Sequence, residues 1–83
     1  MEKKTYNEIL NIARNVFEDS EYIFIKKCLD VKNYTKLRLF VDQKLDFLDA
    51  LISIESYNDV LNTQLQLCNK LDSIILNVII EQY

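Results

Sequence analysis

Two acidic pairs are the residues whose type and spacing come nearest to a chemistry. Glu18 and Glu21 are three residues apart, as are Asp46 and Asp49, with 24 residues between the pairs. On helices this spacing sets both carboxylates of a pair on one face. The rest of the inventory excludes more than it offers. With no His there is no Ser-His-Asp or Cys-His arrangement, and the commonest general base is missing. Cys28 and Cys68 stand 40 residues apart, a spacing that suits no zinc site. Phosphate-binding loops need glycine, and there is none. Arg14 and Arg38 are the only arginines, too few to clamp a dianionic substrate. No catalytic residue, metal ligand or cofactor is therefore expected.

The elements that must carry these residues read as helices. The 83 residues suit one domain, and half of them are apolar, so the chain has enough material for a core. The absence of both Gly and Pro removes the usual turn residues and helix breakers, which disfavours sheets joined by tight hairpins. The last third is the clearest stretch. Ser56, with Asp59 three residues on, has the spacing of a capping box. After it Tyr57, Val60, Leu61, Cys68, Leu71, Ile75, Val78 and Ile79 fall on one face at about 100° per residue. The spacing predicts a helix over 57–82, with Gln64 a lone polar residue on its apolar face. Near its end, in the run 74–80, the apolar arc widens until Leu76 and Ile80 point away from the main stripe. So broad an arc needs cover on two sides, from the fold or from another chain. Ile74, Leu76 and Ile80 are accordingly the candidate self-association surface.

Upstream, Thr5 and Glu8 form a better capping box, followed by Ile9, Ile12, Ala13, Val16 and Phe17 on one face. This predicts a helix over 6–18. The stripe then changes direction, so a break is expected at 18–20, with Asp19 or Ser20 as the new N-cap and a second helix over 20–31. The runs 22–25 and 36–41 are β-like, and a hairpin between them is the alternative. A stripe of Leu37, Phe40, Val41, Leu45, Leu48, Leu51 and Ile52 absorbs the second run and predicts a third helix over 35–55. Lys44 lies on its apolar face, either with its stem along the core edge or in a buried ion pair. Asp42, Asp46 and Asp49 form an acidic ridge on the opposite face, with Leu39 among them as an exposed apolar anchor. Like charges so spaced repel by a few tenths of a kcal/mol. The ridge does not serve the helix itself, and a partner with a basic surface is its expected ligand. The expected fold is all-α, an antiparallel three- or four-helix bundle with a long C-terminal helix.

Charge and hydropathy narrow the partners. The net charge of −3 divides into +2 over residues 1–41 and −5 over residues 42–83, which argues against nucleic-acid binding. No apolar run approaches the ~18–20 residues of a membrane span. Met1-Glu2-Lys3-Lys4 begins no signal peptide, so a cytoplasmic protein with reduced core cysteines is expected, although the count leaves a Cys28–Cys68 bridge open. Ile, Asn, Lys, Tyr and Phe make up 35 of 83 residues, a composition expected from an AT-rich genome such as that of a low-GC bacterium, its phage or a parasite. The paired carboxylates Glu18/Glu21 and Asp46/Asp49 resemble the pattern of the all-helical MazG-like nucleotide pyrophosphatases. The resemblance covers those two short motifs alone, and Asp46 stands where that family has Glu. It implies a magnesium-dependent pyrophosphatase as the alternative. The preferred expectation is a small non-catalytic regulator or inhibitor that binds another protein, acts as a homodimer, and is comparable in size and style to host-factor inhibitors, antitoxins, anti-CRISPR proteins and bacteriocin immunity proteins.

Overall fold

With no glycine available, the chain makes its corners from caps. The computed structural model describes residues 1–54 and 58–82. They form four helices, α1 (Lys3–Val16), α2 (Asp19–Asp30), α3 (Tyr34–Ile54) and α4 (Asp59–Glu81). Among the described residues there is no strand, and both β-like runs lie inside α2 and α3. The helical stripe, which buries Ile25, Leu37 and Val41 completely, outweighs local alternation.

The first corner falls where the stripe changes direction. Phe17 is extended, and Glu18, not Asp19 or Ser20, is the N-cap of α2. Its side chain caps the Glu21 backbone, while Glu21 Oε1 accepts the Glu18 N–H at 3.1 Å. The second corner is a Schellman turn. Asn33 N–H donates to Cys28 O at 2.9 Å and Lys32 N–H to Leu29 O at 3.1 Å, with Lys32 left-handed at φ 60°. The Asn33 side chain then accepts the Lys36 N–H at 3.2 Å and opens α3. At the N-terminus α1 begins at Lys3, so the Thr5–Glu8 motif lies within the helix and does not cap it. The Ser56 cap lies outside the described residues. The cap observed for α4 is Asn58, whose side-chain oxygen accepts from Val60 N (3.0 Å) and Leu61 N (3.2 Å).

The helices run up-down-up-down. Tyr6 hydroxyl donates to Asp30 at 2.8 Å and Arg14 donates to the Tyr22 hydroxyl at 3.1 Å, which makes α1 and α2 antiparallel. Phe40 of α3 packs on Phe17 and Phe24 with ring centroids 5.6 and 4.7 Å apart. Arg38 reaches Asp72 and Val41 meets Cys68, so α4 runs antiparallel to α3. Glu8 and Lys70, 3.9 Å apart, close α1 on α4. Each helix thus packs on two others in a ring. The core is apolar throughout, with Ile9, Ile25, Leu37, Leu48, Leu71 and Ile75 fully enclosed and no polar or charged residue buried among those described. The two long helices, about 32 and 35 Å at 1.5 Å per residue, span most of the 40 Å long axis. They outrun α1 and α2 at the α3–α4 end.

Candidate functional site

The wall of α3 turned away from the core holds most of the residues with functional potential. α3 buries Tyr34, Leu37, Val41 and Leu48, which turns Leu39, Gln43, Asp46, Phe47, Ala50 and Ile54 to solvent. Leu39 is 61% exposed and Ile54 81%. Asp46 and Asp49 are exposed, and neither carboxylate makes an ion pair with a described residue.

Asp42 departs from the ridge. It is half-buried on the side facing α4, where its carboxylate lies beside Asp72 and raises the Asp72 pKa above its ordinary 3.8. Burial raises that pKa more, and Arg38 opposes both. Arg38 Nε and Asp72 Oδ1 are 3.6 Å apart, an ion pair too long for a hydrogen bond, with side chains 39% and 21% exposed. This group ties α3 to α4. Lys44 makes no ion pair with a described residue, and the cation that meets a carboxylate between these helices is Arg38. The Lys44 ammonium lies over the rings of Phe17 and Phe47, 5.6 and 5.7 Å from their centroids. That places its stem along the core edge and its charge on aromatic faces.

The two acidic pairs are not brought together. Glu18 and Glu21 cap α2 and line a groove of about 340 Å³ with Phe40, Gln43, Lys44 and Phe47. Asp46 and Asp49 do not line it, and the cation at its wall is Lys44. Among the described residues no three carboxylate, thiol or imidazole side chains group as a metal site would require.

At the far end of α4, Ile74 and Leu76 are half-buried, with Ile74 packed against the core, and Ile80 is 60% exposed. The same helix buries Ile75 and Val78, so its own fold covers much of the wide apolar arc. Gln64 is half-buried and lines a second groove with Asn15, Asp59, Val60, Thr63 and Leu67, where α1 runs out. Cys28 and Cys68 are both buried and free. Cys68 Sγ approaches Val41 O at 3.8 Å, and burial pushes its thiol up to about 11. Burial also raises Cys28, so neither is an activated nucleophile.

Sequence reasoning missed Phe47 and Ile54 as surface groups, and it missed the Arg38–Asp72 pair. The first signal was present: Leu39, Gln43, Phe47, Ala50 and Ile54 follow one another at intervals of four, four, three and four. No helix of the described residues is long and apolar enough to cross a membrane. Compared with known proteins, the chain matches no family model, no curated protein and no solved structure.

Proposed function

We propose that this protein is a small non-catalytic regulator or inhibitor that works by binding another protein through helical surfaces, with the outward wall of α3 as its principal contact. The observation that carries this reading is the exposure of Leu39 at 61% on the same helix as the unpaired carboxylates of Asp46 and Asp49. An apolar anchor gains free energy when covered, and flanking carboxylates select a basic partner and speed its approach. Asp42, which has a neighbour in Asp72, belongs partly to the fold and is the weaker contact of the three.

The test is affinity capture from a cell lysate with wild-type protein and with a variant carrying Leu39→Ser, Asp46→Asn and Asp49→Asn. All three positions are exposed, so the variant should fold like wild type by circular dichroism. A protein retained by wild type and lost by the variant is the expected result. Retention of every captured protein by the variant overturns the assignment to this wall.

Self-association through Ile74, Leu76 and Ile80 is the second part of the proposal, supported by the 60% exposure of Ile80. Sedimentation at several concentrations should show a dimer that Ile80→Asp dissociates. A wild-type monomer at all concentrations removes this part and leaves the first untouched.

A further inference from the structure

We infer that the element recognised by α3 is a basic amphipathic helix of about four turns, laid along a strip that runs from Leu39 to Ile54. This rests on the reading that the protein works by binding another protein, and it names the form and chemistry of what binds. Leu39, Gln43, Phe47, Ala50 and Ile54 are all exposed and recur at three- and four-residue intervals. That is the periodicity by which one helix packs on another at a shallow crossing angle. The strip spans 16 residues, about 22 Å from first to last, and so presents about four turns to a partner. Ala50, between the larger Phe47 and Ile54, is the smallest residue of the strip and the point where a partner helix can approach most closely.

Charge decides the occupant. Asp46 and Asp49 lie along one edge of the strip, and Glu18 and Glu21 stand across the groove that Gln43 and Phe47 share on the other. Between Leu45 and Asn69 the sequence has no Lys or Arg. The Lys44 ammonium, the one cation on the groove wall, is held over Phe17 and Phe47. A helix with an apolar face and Lys or Arg on both flanks meets carboxylates on each side. A second copy of the same face would set Asp46 and Asp49 against carboxylates of their own kind, which opposes self-pairing here.

The experiment uses the full chain, labelled with 15N, and three synthetic 18-residue peptides. One has Leu at three- and four-residue spacing with Lys between. The second is a scramble of the same composition with no amphipathic face, and the third replaces Lys with Glu. The Leu/Lys helix should bind and shift the amides of Leu39, Phe47, Ala50 and Ile54. Ala50→Glu should weaken it at least about tenfold by setting a longer side chain at the point of closest approach. Asp46→Asn with Asp49→Asn should weaken it several-fold at low salt and flatten the salt dependence.

Equal binding of the scramble overturns the helical form of the ligand while leaving α3 as a basic-partner surface. Binding of the Glu peptide with equal strength overturns the charge argument. Shifts confined to other helices, or no binding by any peptide, overturn the inference. So does a dimer by sedimentation that Ala50→Glu dissociates, because a second copy would then occupy the strip. The lysate capture with the Leu39/Asp46/Asp49 variant, scored separately, tells failure of this inference from failure of the protein-binding reading.

Discussion

The ion pair between α3 and α4 yields the sharpest test, replacement of Arg38 by Met. Two charges 3.6 Å apart attract by about 1 kcal/mol in water-like surroundings and about 5 kcal/mol at an effective dielectric of 20. The side chains are 39% and 21% exposed, so solvent screens the pair and its desolvation offsets much of the attraction. A net coupling of about 1 kcal/mol is expected. Removing Arg38 also leaves Asp72 facing Asp42 with no cation between them, which adds roughly another 1 kcal/mol at neutral pH. Asp72 already has its pKa raised, by burial first and by Asp42 second. A carboxyl raised in the folded state holds its proton more tightly folded than unfolded. The folded state therefore loses stability as pH rises from about 3.8 through the raised value.

Without Arg38 that loss grows. Arg38→Met should cost about 2 kcal/mol at pH 7 and less than about 1 kcal/mol at pH 3, where Asp72 is protonated in both states. Urea unfolding followed by circular dichroism at the two pH values, with linear extrapolation, measures both. The double variant Arg38→Met/Asp72→Leu should return to within about 1 kcal/mol of wild type, since an apolar pair replaces a partly desolvated ionic one. An Arg38→Met cost that is the same at pH 3 and pH 7 would refute the reasoning.

Other expectations are simpler. Asn58→Ala should lower stability by about 1 kcal/mol and Asn58→Ser by much less, because only the first removes the acceptor for Val60 and Leu61. Lys32→Gly should raise stability by about 0.5–1 kcal/mol by relieving the left-handed backbone at φ 60°; both changes can be read from urea melts. With its thiol up to about 11, Cys68 should be alkylated by iodoacetamide at pH 8 at least about a hundredfold more slowly than a free thiol, until urea unfolds the chain. Millimolar magnesium should leave the amide shifts of Glu21 and Asp49 unchanged, and a saturable shift at both would restore a shared metal site.

Periodicity made the helices legible because burial along a helix repeats with a fixed angle. The stripes through Ile9, Leu37 and Leu71 mark helices without any other information, and the change of direction after Phe17 marks the first corner. Caps were harder to read. Thr5 and Glu8 have the right spacing, yet α1 starts earlier, because a capping motif states a local preference that a helix already under way can ignore. Lys32 shows the complementary failure, since nothing in its type announces a left-handed residue. A helical wheel also gives each residue an angle but does not say what covers that angle. Arg38 and Asp72 are 34 positions apart and meet only when α3 and α4 are docked. Asp42 belongs to the ridge by angle, and the neighbouring helix turns it into a structural residue. On α4 the wheel showed a broad apolar arc, but the extent to which the short helices cover it depends on where they end.

Asn33 serves two helices at once, with its backbone N–H closing α2 and its side chain opening α3. No residue is spare at that corner. Adding one after Asn33 would turn all of α3 by about 100° about its own axis, moving Leu37 and Val41 into the half-buried places of Arg38 and Asp42 and Phe47 into the buried place of Leu48. The direction in which the acidic wall looks is therefore locked to the frame of α1 and α2, and length can be gained at that bend only by building a new molecule around it.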